Sequence, residues 1–328
     1  EDVIDLSALY LKIYFIGMPM NMLYNFSSAL LRAVGDTKRP LYCLAAAGII
    51  NVVLNLVFVI GFSMSVAGVA LATIISETVS ACLVTAMLVR EKGALHLDLH
   101  KLGFHAGALK QILLIGLPAG LQSVMYSLSN LVIQSSINRF GTDMMATWTA
   151  YGKLDGLFWM TVSAFGISVT TFAGQNFGAR QYDRVRRGVR VCLAMAACTT
   201  LVISFTFYNL AEVLFRLFSQ DDAVVAVGVG MMHVLTPVYI TYVCIEVLAG
   251  ALRGCGDVRV PTLITVFFVC GLRMLWLFIA VPIRHEVATV EMSYPITWSL
   301  ASALFILYYV KGGWMQRCAE KWEKKQAG

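Results

Sequence analysis

Five ionisable residues lie inside long apolar segments of the sequence: Glu77, Lys153, Asp155, Glu246 and Arg273. Placing such a group at the centre of a membrane helix costs about 2.5–3.5 kcal/mol, so each is a candidate for function. Burial favours the protonated form of a carboxyl group, whereas a bound Na⁺ or organic cation favours the carboxylate. The three acids are therefore candidates for coupling the movement of H⁺ or Na⁺ to the movement of another cation.

Asp155 has aromatic residues on its own helical face. Tyr151 and Trp159 are four residues before and after it, and Trp148 is seven residues before it. A flat organic cation can bind beside such an acid by ion pairing and by cation–π contacts, which contribute about 0.5–2 kcal/mol each. The spacing therefore predicts a coupling and substrate-binding role for Asp155.

A structural ion pair is the alternative role for Asp155. Lys153 lies about 200° away around the helix, so Arg273 is the expected partner. We expect Arg273 and Lys153 to be structural charges, with Arg273 bracing the C-terminal part of the chain.

Glu246 shares a helical face with Tyr239 and Tyr242, which precede it by seven and four residues. This pattern predicts an ion-coupling role, and a structural pair with Arg253 is the alternative. Glu77 lies in the middle of the third apolar run, and the sequence shows no evident partner for it. It is the third predicted coupling residue.

A polar stripe runs along the fourth apolar segment, where Gln122, Tyr126, Asn130 and Gln134 recur at steps of four residues. Inside a membrane such a stripe must face protein or a cavity. Together with the aromatic residues beside the acids, it predicts a cavity lined by Gln122, Tyr126, Asn130, Trp148, Tyr151, Trp159, Tyr239 and Tyr242.

The amino-acid composition indicates that these residues belong to a membrane protein. Of the 328 residues, 59% are hydrophobic and 13% are charged, whereas soluble domains carry about 25% charged residues. This excludes an ordinary soluble enzyme, a disordered chain and a disulfide-rich secreted domain. A membrane-spanning helix needs about 20 apolar residues. The sequence predicts an all-α polytopic membrane protein with helices near residues 8–31, 40–62, 66–90, 108–138, 142–172, 186–209, 223–252, 259–283 and 290–311.

The basic residues predict the orientation of these helices. Nineteen of the 25 Lys and Arg residues lie in alternate connections and the C-terminal tail, against three in the other connections. The positive-inside rule places the richer set in the cytoplasm. We therefore expect a multi-pass protein of the cell membrane, the inner membrane in a bacterium, with a cytoplasmic C-terminus. The basic residues that give the chain its net charge of +6 then lie beside the membrane surface, and we expect no nucleic-acid partner.

Two connections resemble each other, namely residues 31–40 (LRAVGDTKRP) and 252–261 (LRGCGDVRVP), at an offset of 221 residues. The offset spans six helices, which predicts a parallel repeat of two six-helix lobes. Two complete copies need about 440 residues, so three further helices are expected before Glu1. The predicted domains are the C-terminal half of the first lobe at 1–90, an inter-lobe linker at 91–107, the second lobe at 108–311 and a basic tail at 312–328.

Several short motifs resemble those of the multidrug and toxic compound extrusion (MATE) family, in the same order. The segment Gly174–Arg180 (GQNFGAR) is similar to that family's G-Q-x-x-G-A loop, and Gly250–Gly254 (GALRG) is similar to its A-L-R-G loop. Looser similarities occur at residues 29–32, 66–73, 116–118 and 294–298. The resemblance covers nearly the whole chain. It implies a twelve-helix antiporter whose two lobes enclose a central cavity, with this chain matching the fourth to twelfth helices.

The resemblance implies secondary active efflux of small organic cations or amphipathic drugs, by antiport with H⁺ or Na⁺ through alternating access. We expect a monomer in the lipid bilayer, no enzyme activity, no metal site and no cofactor other than the coupling ion. Glu246 gains weight because many members carry an acid in the tenth helix. Some members also carry an acid in the seventh helix, where this chain has Tyr126 and uncharged neighbours.

Two other functions are alternatives to efflux. A lipid-linked oligosaccharide flippase of the same superfamily would need a cluster of cavity bases, for which the chain offers Lys153 and Arg273. A membrane-embedded enzyme would need two or more catalytic polar residues at one depth, and the sequence shows no such signature.

Overall fold

A computed structural model describes residues 2–93, 95–284 and 286–326. Within this part of the chain, nine helices are long and apolar enough to span a membrane. This confirms the prediction of an all-α, multi-pass membrane protein. The helices are α1 (Asp2–Ala33), α2 (Lys38–Gly61), α3 (Ser65–Arg90), α4 (Ala106–Asn138), α5 (Thr142–Gly178), α6 (Tyr182–Asn209), α7 (Asp222–Gly254), α8 (Arg259–Ile283) and α9 (Val287–Lys311).

Three of these helices contain segments with a different hydrogen-bonding pattern. Pro19, Pro118 and Pro237 each predict a kink in their helix, and at Pro237 α7 has a 3₁₀ turn (Thr236–Val238). The helix remains α-helical at Pro19 and Pro118. Two wider π-helical turns occur at Leu56–Gly61 in α2 and at Thr265–Gly271 in α8. Shorter helices are formed by Leu99–Lys101 and Ala211–Arg216, and the tail forms α10 (Trp314–Gln326).

The chain forms two compact units, residues 1–105 and 106–328. In the first unit, α1 and α2 both pack against α3. The buried face of α3 consists mostly of small residues such as Ala70, Ala72 and Ala81, which let helices approach closely in a membrane.

The second unit is organised around α5, which packs against α6 and α7. Leu154, Phe158 and Val162 lie at steps of four residues on its buried face. Asp155 follows Leu154, so the packing of this face fixes the depth and direction of the acid.

Glycines allow α5 and α7 to cross at close range. A Cβ atom at Gly250 would lie 2.7 Å from the backbone oxygen of Gly166. The Thr170 hydroxyl donates a hydrogen bond to the Gly250 oxygen at 3.0 Å. This crossing places the polar residues of α7 next to those of α5.

The two similar connections have the same backbone conformation. Gly35 and Gly256 take positive φ angles of 89° and 88°. In each connection the amide of the following Asp donates to the carbonyl of a Leu five residues earlier, at 3.0 Å (Asp36) and 2.9 Å (Asp257). This is the Schellman arrangement that ends a helix at a glycine. The Arg39 guanidinium donates a hydrogen bond to Asp36 and lowers the pKa of that carboxyl group.

Candidate functional site

A cavity of about 590 Å³ lies within the second unit, between α4, α5, α7, α8 and α9. This volume is within the range of small-molecule sites, about 300–1,000 Å³. The lining residues are mainly aromatic and polar, with one acid and one base among the described residues. They are Ser123, Tyr126, Asn130, Ile133, Gln134, Trp148, Tyr151, Gly152, Asp155, Trp159, Tyr242, Arg273 and Tyr294.

Asp155 is held in the cavity wall by aromatic hydrogen-bond donors. The Trp159 indole donates to Oδ2 at 2.6 Å, and the Tyr239 hydroxyl donates to Oδ1 at 2.6 Å. The Tyr151 hydroxyl donates to Oδ1 at 3.3 Å and lies 3.0 Å from the Tyr239 hydroxyl oxygen. Asp155 therefore has three neutral donors, and it forms no ion pair within 4.0 Å with any described residue.

The donors are fixed by ring packing. The Tyr239 ring stacks on Phe158 with centroids 3.9 Å apart and an interplanar angle of 7°. Trp159 meets the Tyr242 ring edge-on at 4.6 Å. Because these rings are packed, their polar atoms keep one direction, and the carboxylate is oriented before any ligand binds.

Arg273 supplies the base in the cavity wall. Its side chain is buried, Nη2 donates to Thr297 Oγ1 at 3.1 Å, and the guanidinium lies 4.2 Å from the centre of the Tyr294 ring. The expected ion pair between Arg273 and Asp155 is not found among the salt bridges of the described residues. The contact with Thr297 connects α8 to α9, and the bracing role of Arg273 stays a prediction.

Glu246 lies outside the set of residues that line the cavity. Its Oε1 is 3.4 Å from Nη2 of Arg253, and both side chains are largely buried. This is the structural pair that sequence spacing offered as the alternative. Gly166 faces Glu246, because a Cβ atom there would collide with the carboxyl group.

Glu77 belongs to the first unit and has a partner that the sequence did not indicate. Asn21 on α1 donates to its Oε1 at 3.0 Å, and Asn25 donates to the Asn21 side-chain oxygen at 2.8 Å. The acid is thus part of a small polar network between α1 and α3.

The polar stripe of α4 reaches the cavity over most of its length. Tyr126, Asn130 and Gln134 line it, and the Tyr126 hydroxyl lies 3.1 Å from that of Tyr242. Steps of four residues rotate by about 40° around a helix, so the stripe drifts, and Gln122 is not among the lining residues whereas Ser123 is.

Of the predicted cavity residues, Tyr126, Asn130, Trp148, Tyr151, Trp159 and Tyr242 are brought together around Asp155. Tyr239 is fully buried behind the wall, where its hydroxyl contacts Asp155 and Tyr151. Lys153 is exposed and does not line the cavity. Tyr294 was missed, although its position four residues before Trp298 places two aromatic rings on one face of α9.

In the described part of the chain, no group of three or more His, Cys, Asp or Glu residues is placed to hold a metal ion.

Comparison with known proteins gives consistent matches. The family model MatE matches residues 1–57 and 118–279, which is more than half of the chain. The Bacillus subtilis (strain 168) protein YoeA, a probable multidrug resistance protein, is 26% identical over 320 residues, covering 94% of this chain and 68% of YoeA. YpnP from the same strain, also a probable multidrug resistance protein, is 30% identical over 256 residues, covering 78% of this chain and 57% of YpnP.

The fold has solved counterparts. A MOP superfamily transporter from Pyrococcus furiosus superposes with a TM-score of 0.88 at 18% identity, covering 97% of this chain and 71% of that one. This similarity shows the fold. The chain spans between 57% and 68% of the length of the two Bacillus relatives.

Proposed function

Because the chain belongs to the MatE family of membrane transporters, we propose that it takes part in secondary active efflux of organic, cationic or amphipathic compounds. Export is coupled to the entry of H⁺ or Na⁺ and proceeds by alternating access. The protein lies in the cell membrane with its C-terminus in the cytoplasm, and it works as a monomer without enzyme activity or a further cofactor.

One observation carries this proposal: among the described residues, Asp155 is the one carboxylate that lines an aromatic cavity of about 590 Å³, and the hydrogen bonds that it accepts come from neutral donors. A carboxylate with neutral partners has its charge available for a ligand. The rings of Trp148, Trp159 and Tyr294 add surfaces for a flat cation. The drug-related names of YoeA and YpnP support the same substrate class.

The coupling step follows from competition for the carboxylate. A proton or Na⁺ and an organic cation cannot all occupy the same Asp155 oxygens. Binding of the cation from inside would release the ion, and rebinding of the ion from outside would displace the cation. Glu246 is the second proposed coupling residue, with its present partner Arg253 to be displaced in the cycle.

The test is gradient-driven transport by the complete gene product in proteoliposomes, with rhodamine 123 as a monocationic fluorescent dye. Asp155→Asn keeps the size of the side chain and removes the charge, so we expect at least a tenfold loss of transport. Glu246→Gln tests the second acid. Asp222→Asn is the matched control, since Asp222 is exposed and pairs with Arg216 on the surface.

Imposing a pH gradient or a Na⁺ gradient separately identifies the coupling ion. Full transport by both Asp155→Asn and Glu246→Gln would remove these acids from the mechanism. A wild-type protein that moves no dye under either gradient would contradict efflux itself.

The flippase alternative has less support in the cavity. Binding a pyrophosphate requires several bases, whereas Arg273 is the one base among the described residues that line the cavity. Lys153, the second base available at depth, is exposed elsewhere on α5.

A further inference from the structure

Arg273 carries a buried positive charge that no described acid neutralises. Its side chain is 2% exposed, and no carboxylate of the described residues lies within 4.0 Å of it. A guanidinium keeps its proton in proteins, and burying an unpaired charge is strongly unfavourable. The buried charge of Arg273 is therefore better explained if a bound ligand neutralises it.

The contacts that Arg273 does make fix its position without supplying a negative charge. Nη2 donates to Thr297, whose own hydroxyl donates onward to the Ser293 carbonyl at 2.7 Å. The guanidinium lies over the rings of Tyr294, at 4.2 Å, and Trp298, at 5.7 Å. Of its three nitrogens, Nε is buried without a hydrogen-bond partner, and Nη2 alone donates to a described residue.

The backbone before Arg273 is unusual. The π-helical turn Thr265–Gly271 ends two residues earlier, and such turns occur frequently at functional sites. The wider turn changes the rotation of α8, and Arg273 then lines the cavity together with Asp155.

The cavity thus presents a carboxylate at Asp155 and a guanidinium at Arg273, with the rings of Trp148 and Tyr294, 6.4 Å apart between centroids, in the same wall. We propose that Arg273 binds an acidic group of the transported compound, so that the preferred substrates are aromatic compounds that carry both an acid and a positive charge. This rests on the proposed function, in which Asp155 binds the positive group of the same molecule.

A matched pair of dyes tests this charge pattern. Rhodamine 110 carries a free carboxyl group, and rhodamine 123 is its methyl ester, so the two differ in one negative charge on the same aromatic body. Binding is measured by fluorescence polarisation with the purified complete gene product in detergent, without any ion gradient. We expect rhodamine 110 to bind about tenfold more tightly than rhodamine 123, the effect of one charge-assisted hydrogen bond.

Arginine variants separate ligand binding from bracing. Arg273→Gln should weaken rhodamine 110 binding about tenfold and leave rhodamine 123 binding within about twofold of wild type. Arg273→Lys keeps the charge but not the fork of donors, and it should retain part of the preference. Arg216→Gln, at an exposed arginine outside the spans, is the control and should change neither dye.

Three results would overturn the proposal. The first is equal or weaker binding of rhodamine 110 by the wild-type protein, which needs no variant and so is independent of any folding defect. The second is an equal loss of both dyes in Arg273→Gln, which indicates bracing alone, and the third is no loss of either. Failure of the proposed function is observed separately, as the absence of gradient-driven transport of rhodamine 123.

Discussion

The crossing of α5 and α7 makes a sharp prediction about stability, because it depends on the missing side chain of Gly250. In Gly250→Ala, the new Cβ atom would lie 2.7 Å from the Gly166 oxygen and 2.8 Å from Val169 Cγ1. The first of these is a backbone atom and cannot rotate away, so the helices must separate. The separation also lengthens the hydrogen bond from the Thr170 hydroxyl to the Gly250 oxygen, now 3.0 Å.

The expected loss follows from three contributions. Overpacking costs about 1–3 kcal/mol, and the weakened hydrogen bond costs about 1 kcal/mol. The better helix propensity of alanine returns about 1 kcal/mol. The net loss is about 2 kcal/mol, which corresponds to a fall in Tm of about 4–8 °C for a unit of this size.

Thermal unfolding of the purified protein in detergent measures this effect. Gly230→Ala is the matched control, because Gly230 belongs to the same helix and a Cβ atom there meets open space. Its Tm should stay constant or rise. If Gly250→Ala unfolds at or above the wild-type Tm, the close crossing of the two helices is refuted.

Three further predictions concern the C-terminal helix α10 and the connection after α1. Burial raises the pKa of Cys318 to about 11, so its alkylation at pH 8 should be about 100-fold slower than that of a free thiol. In labelling time courses the rate should rise about tenfold per pH unit, and labelling as fast as that of the free thiol would contradict this. Tyr308→Phe removes the hydroxyl that accepts a hydrogen bond from Arg317 of α10 at 2.9 Å and should speed proteolytic release of α10 severalfold, whereas an unchanged rate would mean that α10 is held by other contacts. Because Arg39 lowers the pKa of Asp36, the ionised form stabilises the fold above the unfolded pKa of about 3.9, and this contribution is lost as the pH falls through the folded pKa. The Tm difference between wild type and Asp36→Asn should therefore shrink below about pH 4, and a difference that persists there would argue against the pair.

The sequence was sufficient to predict contacts between side chains of the same helix. Tyr151 and Trp159 both bond to Asp155, as their four-residue spacing predicts. Glu246 and Arg253, seven residues apart, also pair as one alternative proposed. In each case helical geometry alone decides which side chains meet.

Helical periodicity did not predict contacts between side chains of different helices. Tyr239 was placed beside Glu246, yet its hydroxyl bonds to Asp155, 84 residues away. Asn21, the partner of Glu77, lies 56 residues before it. Which faces of two helices meet depends on small residues at their crossings and on turns such as Thr236–Val238, and spacing within one helix contains no such information.

The partners of the two leading acids bear on which of them couples transport. Neutralising Glu246 would leave Arg253 as a buried base without its counter-charge, so each cycle would have to break and remake an ion pair. Neutralising Asp155 breaks no ion pair of the described residues, because its partners are three neutral donors, two tyrosine hydroxyls and one indole. A site that must bind and release ions repeatedly is better served by the second arrangement. We therefore infer that Asp155 is the primary coupling residue and that Glu246, whose pair with Arg253 has to be broken in each cycle, is the secondary one.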